Sequence, residues 1–290
     1  MKFTIKGGVF SLVLLVASQF LGRPCRAQGP PPDINVVLMK STFLLVGDGS
    51  QGTGFVLGKP DPTDPTKGRY VLVTAAHVLE EMKGETGVIF ARRKTGPMKW
   101  EGFLYTFRIR EGERQLWLKH PTADVAVMYL ALPQGMLDDL ASTQLLADDE
   151  TLSQFEVHPG DEVNCLGYPL GNMSNQSGFP ILRSGKIASY PLWPTRETHM
   201  FSMDARVFPG NSGGPVYLSE SNRIYGGGTN IGKVQMILGV LATWTLAQRE
   251  VPELFSTRLE RYPLDVAQVV HASLIKEVID MLPPPSDRAK

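Results

Sequence analysis

Between Asn35 and Leu132 the segments NVVLMKSTFLLV, GTGFVLG, YVLVTAA, GVIFAR, FLYTFRIR and DVAVMYLAL follow one another, each short and rich in Val, Phe, Leu or Tyr. Glycine, proline and aspartate punctuate them, as in KPDPTDPTKG. Runs this short, broken this often, read as antiparallel strands. A more polar stretch from about Pro133 to Asp161 links them to a second series: DEVNCLGYP, PILRSGKIAS, HMFSMDA, GPVYL and VQMILGVLATWT. Two series of about six strands imply an all-β fold of two six-stranded antiparallel β-barrels, one over about residues 35–135 and one over about 155–270. A site would lie in the crevice between them. After the second series the period changes, because Leu274, Ile275, Val278, Ile279 and Leu282 fall at helical spacing. This predicts a C-terminal α-helix over about 272–282, stopped by Pro283–Pro285, with 283–290 as a disordered tail.

The amino terminus reads differently. Lys2 and Lys6 precede a largely apolar run over residues 8–22, and Cys25-Arg26-Ala27 ends on a small residue. That layout predicts a secretory signal peptide over 1–27 and a proline-rich linker over 28–34, hence an exported protein, periplasmic or secreted, with a bacterial envelope as its setting. The alternative is an uncleaved anchor, in which case the membrane would be a partner; the run is shorter than a spanning helix needs. Cleavage would remove four basic residues and no acid from a chain with 29 of each, leaving a net charge of about −4. No basic run recommends nucleic acid. It would also leave Cys165 as the one cysteine, without a disulfide partner, and its apolar setting in VNCLGYP reads as a small core residue. No Cys/His cluster, EF-hand spacing or phosphate-binding glycine loop is present, so neither metal nor other cofactor is expected.

One stretch resists reading as mere architecture. FPGNSGGPV, residues 208–216, surrounds Ser212 with three glycines and two prolines. A serine hydroxyl becomes a nucleophile when a base takes its proton and a third group holds the base. Of the five histidines, His77 lies where a valine-rich strand breaks into small residues, in YVLVTAAHVL. Asp124 stands just ahead of an alternating strand in HPTADVAVMYL. Singly, each has an ordinary alternative: a core histidine, a turn former, a β-turn.

Together, TAAHVL at 74–79, TADVAV at 122–127 and GNSGGP at 210–215 resemble the three signature blocks of trypsin-like serine proteases, in the order His, Asp, Ser. GTGFVL at 52–57, SGKIAS at 184–189 and MDARVFPGNSGGPV bring the similarity closer to the bacterial HtrA/Deg branch, in register from about residue 35 to 282. The resemblance implies a chymotrypsin-like double barrel and a serine endopeptidase acting on polypeptide. Ser212 would attack, His77 would carry the proton, Asp124 would orient the imidazole, and the amides of Gly210 and Ser212 would form the oxyanion hole. Gly213 and Gly214 would allow close packing behind the nucleophile.

The chain also departs from its relatives. Asn211 replaces the aspartate through which digestive trypsins are activated. The HtrA/Deg proteins usually carry PDZ domains after the protease, whereas this sequence ends soon after its last helix, so gating through a PDZ domain is not carried over. Arg206 and the strand Val240, Leu241, Ala242, Thr243 and Trp244 would border the substrate pocket. The rival to catalysis is a silent peptide-binding protein on a protease fold.

Overall fold

The structure is a computed structural model that describes residues 33–61, 68–133, 136, 140–252 and 257–283. The expected signal peptide, nearly all of the expected linker and all but the first residue of the expected tail lie outside the described residues.

Asp33 begins the description as a helix cap, its side chain accepting the Asn35 N–H at 2.9 Å. The helix it starts, α1 (Ile34–Ser41), buries Ile34, Val37, Leu38 and Ser41, the spacing of one helical face. This corrects two expectations: Ile34 is helix and not linker, and NVVLMKS is not strand. β-type residues favour a strand, but the capped i, i+3, i+4 face decides for the helix once a core exists to receive it.

The first half then runs β1 (Thr42–Gly47), β2 (Ser50–Pro60), β3 (Gly68–Thr74), α2 (Ala76–Glu81), β4 (Thr86–Gly96), β5 (Lys99–Arg108), β6 (Arg110–Glu111), β7 (Arg114–Gln115), β8 (Leu118–Lys119), β9 (Ala126–Tyr129) and β10 (Ala141–Ser142). Its main sheet has the order β5-β4-β1-β2-β3-β9-β8, with β10 added in parallel to β2, while β6 and β7 pair separately. It therefore holds eight strands where six were expected. The extra ones are two-residue pieces of connecting chain, too short to show any alternation in sequence.

The link to the second half carries α3 (Asp149–Gln154), capped by Asp148, whose carboxylate accepts the Thr151 N–H at 3.0 Å. Then come β11 (Glu162–Gly167), β12 (Ile181–Ile187), α4 (Thr195–Thr198), β13 (Met200–Asp204), β14 (Pro215–Tyr225), β15 (Gly228–Pro252), β16 (Thr257–His271) and α5 (Ala272–Met281). These strands close into the expected six-stranded barrel, β11-β12-β13-β16-β15-β14. The sequence reading missed β16, whose charged residues and internal Pro263 hide the pattern; pairing with β15 along its length makes it a strand. The C-terminal helix falls where the periodicity placed it.

Among the described residues, apolar side chains form three clusters. One lies within the first half, around Phe43, Leu45 and Leu72. A second fills the closed barrel, and Cys165 is buried in it as expected, with burial pushing its thiol up to about 12. The third joins the halves: Phe55 and Val73 of the first, Tyr217 and Ile237 of the second, Leu38 of α1, and Leu274, Ile275 and Val278 of α5.

Candidate active site

β3 ends at Thr74, and Ala75-Ala76-His77-Val78-Leu79 turns at once into α2, the alanines and the leucine being good helix formers. Ala76, Val78 and Leu79 point into the core, which leaves His77 at the surface of the first turn. Ala75, the residue before the helix, has no side-chain cap to offer. Asp124 supplies one from a distant loop, its Oδ1 accepting the His77 backbone N–H at 3.0 Å. The other oxygen, Oδ2, meets His77 Nδ1 at 2.7 Å. One carboxylate thus satisfies an orphan amide of a helix N-terminus and orients the imidazole.

Both side chains are about one-third exposed, at 36% and 33%. The Asp124 hydrogen bond raises the His77 pKa above its ordinary value, against the opposing effect of burial. Burial alone would push Asp124 up, but the ring bond, charge and backbone amide of His77 outweigh it and hold the carboxyl below its usual range.

The Asp124 loop has an organiser that sequence reasoning passed over. His120, 8% exposed, accepts the Thr122 and Ala123 N–H groups on Nδ1 at 3.2 and 3.1 Å, and its own N–H bonds the Val125 carbonyl. The only hint in sequence was a histidine four residues ahead of the aspartate.

Ser212 is buried in the turn between β13 and β14. The turn is seated against the His77 segment: a Cβ on Gly213 would lie 1.9 Å from the Thr53 carbonyl oxygen, 2.3 Å from Thr74 Oγ1 and 3.0 Å from the Ala75 nitrogen. Glycine is required there for space and for a φ of +90°. On its other side the turn is stitched to β15, since Gly213 N–H donates to the Leu241 carbonyl at 2.7 Å and Leu241 N–H to the Gly214 carbonyl at 2.9 Å. Thr53, a polar residue between two glycines in GTGF, clamps it from β2. Its N–H reaches the Ser212 carbonyl at 2.8 Å and its hydroxyl the Gly210 carbonyl at 2.7 Å.

Within the turn the amides divide. Asn211, Gly213 and Gly214 N–H groups all have carbonyl partners. Those of Gly210 and Ser212 have none among the described residues. The peptide joining Pro209 to Gly210 is oriented by its carbonyl, which accepts the Leu170 N–H at 2.6 Å; the Gly210 N–H, trans to it, points the other way. Gly210 adopts φ +95°, and a Cβ there would stand 2.3 Å from the Tyr168 carbonyl oxygen. Two unpartnered amides, one of them the serine's own, are what an incoming oxyanion needs. The Ser212 hydroxyl has no hydrogen-bond partner among the described residues, His77 included. Nucleophile–base bonds are often long without substrate and tighten when it binds.

The expected specificity residues separate. Val240, Leu241 and Ala242 are buried in the cores, Thr243 is exposed and Trp244 is half-buried against the closed barrel. Arg206 is largely exposed, its guanidinium 3.5 Å from Asp265 and 5.4 Å from the Phe208 ring centre. A hollow of about 320 Å³ between Lys59, Leu146, Lys276 and Ile279 is lined by none of these residues. Among the described residues no three His, Cys, Asp or Glu side chains converge as metal ligands.

The double-sheet architecture with this site in it defines the class. The family model of the trypsin-like peptidase domain matches residues 52–226, more than half of the chain. The chain belongs to that family. Among solved structures, human heparin binding protein is similar at 14% identity and a TM-score of 0.46, over 86% of this chain and 94% of that one. No curated protein is similar enough in sequence to count as a relative.

Proposed function

We propose that this chain is a serine endopeptidase of the HtrA/Deg type, exported by its amino-terminal segment, which hydrolyses polypeptides through an acyl-enzyme on Ser212. Ser212 Oγ attacks the scissile carbonyl carbon while His77 Nε2 takes the hydroxyl proton, and Asp124 steadies the imidazolium. The Gly210 and Ser212 amides receive the carbonyl oxygen as it becomes an oxyanion. His77 returns the proton to the leaving amine, the C–N bond breaks, and a water activated by the same imidazole releases the acyl group. The polypeptide is the partner in this scheme, and the scheme calls on no metal or cofactor.

The observation that carries the reading is the Gly210–Ser212 turn, its two amides without carbonyl partners among the described residues, seated against the strand end that leads into the 2.7 Å His77–Asp124 pair. The test is fluorophosphonate labelling of the 28–290 chain with mass spectrometry of the labelled peptide. An adduct on Ser212, lost in Ser212→Ala and much reduced in His77→Ala, is the expected result. No adduct on folded protein would favour the silent peptide-binding alternative.

A further inference from the structure

Arg92 of β4 is 1% exposed, and no carboxylate contacts it among the described residues. The other buried arginine, Arg223, is an instructive contrast, bonded to Asp161 at 2.5 Å and Glu220 at 2.9 Å. Arg92 is held only by neutral groups. Its Nη1 donates to Tyr168 Oη at 3.0 Å and the Gly178 carbonyl at 2.6 Å. Its Nη2 donates to the carbonyls of Lys40 at 2.9 Å and Thr42 at 2.6 Å. The rings of Phe43 and Phe179 lie on it, each with its centre 4.6 Å from the guanidinium carbon. Nε has no partner. Burying a cation without an anion costs more than filling the same space with an apolar side chain. What the cation achieves is connection: it ties the end of α1 and the start of β1 to both ends of the segment 168–179.

That segment orients the amide beside the nucleophile. Tyr168, fully buried, has its hydroxyl on Arg92 and its backbone N–H on Thr53 Oγ1 at 3.2 Å. The same Thr53 hydroxyl donates to the Gly210 carbonyl. Tyr168 O and Leu170 N lie on one side of Gly210, 2.3 and 3.2 Å from where a Cβ would stand, and the Leu170 N–H is bonded to the Pro209 carbonyl at 2.6 Å. Leu170 is itself in the left-handed region, at φ +55°, in a turn closed by the Gly171 N–H on the Tyr168 carbonyl and the Asn172 N–H on the Pro169 carbonyl, each at 2.9 Å. Its position depends on how Tyr168 is anchored.

We propose that Arg92 is a positioning residue for the oxyanion-binding amides: by fixing Tyr168 and Gly178 to the first half, it holds Leu170 where its N–H keeps the Gly210 N–H turned toward the reacting carbonyl. The inference rests on the functional reading above. Without the guanidinium, the Tyr168 hydroxyl keeps the Thr42 and Gly178 carbonyls, each at 3.0 Å, but has one proton to share between them and no donor to hold it, so the 168–171 turn shifts and the Pro209–Gly210 peptide is free to rotate.

The test uses the fluorophosphonate itself as probe, on wild type and Arg92→Met, with the reagent varied so that binding and the covalent step separate. The covalent rate constant is expected to fall about tenfold or more, since loss of one oxyanion donor costs about 10²- to 10³-fold. The half-saturating reagent concentration should stay within about twofold, as in any loss confined to the transition state. The pH dependence of labelling should be unchanged, because the His77–Asp124 pair is not touched; a general loosening of the site would move it. A folded Arg92→Met that reacts at the wild-type rate overturns the inference alone. A wild type that is never labelled overturns the functional reading and this inference with it. Should Arg92→Met not fold, Tyr168→Phe cuts the same link while leaving the arginine its carbonyls. The same split is expected there, and an unchanged rate in folded Tyr168→Phe is equally fatal.

Discussion

Asp124 does two things with one carboxylate, and they separate on substitution. Asp124→Asn keeps the shape and an oxygen for the His77 amide, but removes the charge that holds the ring tautomer and raises the His77 pKa. Turnover should fall by about 10⁴-fold, the loss measured for this change in a Ser-His-Asp triad. The wild-type pH profile should rise with pH through a value above that of an ordinary histidine, because His77 must be neutral to act as base. In Asp124→Asn that limb should move to lower pH. Profiles of labelling rate against pH for both proteins check the sign; a limb that stays in place would show that Asp124 does not set the His77 pKa. His77, Asp124 and Ser212 were legible in the sequence as candidates, because each stands in a short block whose residue types serve the proposed chemistry. Thr53, His120 and Arg92 were not. Their roles lie in hydrogen bonds to residues far along the chain, and nothing in their neighbours announces that.

The junction of β16 and α5 holds a histidine that cannot easily ionise. His271, 2% exposed, packs 5.0 Å from the Phe201 ring, and its Nε2 has no partner. Burial lowers its pKa to about 4; Asp149 opposes the shift and His199 adds to it. In the unfolded chain the same group takes a proton near pH 6.5, so the unfolded state binds more protons across the interval between the two values. Stability contributed by the neutral ring is complete above about pH 6.5 and is lost as pH falls toward 4, to a limit of about 3 kcal/mol. Thermal unfolding of wild type and His271→Phe between pH 7 and 4 tests this: the wild type should lose more of its melting temperature than the variant. Equal losses would place the acid sensitivity elsewhere. At this scale the sequence also misread α1, whose valines and leucine favour a strand until Asp33 caps a helical face that the core can bury.

The cluster between the two halves packs side chains of both into one core, and the halves should therefore unfold together. It takes residues from both sheets, and α1 and α5, from opposite ends of the described chain, seal it. Ile275, fully buried there, should cost about 2–5 kcal/mol on truncation to Ala. Because the cavity opens onto both halves, amide hydrogen exchange should quicken in β3 and β15 together; faster exchange in β15 alone would mean that the halves unfold separately. Strand alternation, the helical period near the carboxyl terminus and the three motif blocks determined the all-β class, the two-part layout, the last helix and the catalytic candidates, since each is encoded over a few neighbouring residues. The rest was decided only when the chain closed on itself. The pairing of β10 with β2, that of 266–270 with β13, the direction of the Gly210 amide and the buried guanidinium behind it all depend on partners dozens of residues away. Those contacts exist only in the packed molecule, where a backbone group or a charge removed from water must find whatever partner the fold has brought beside it.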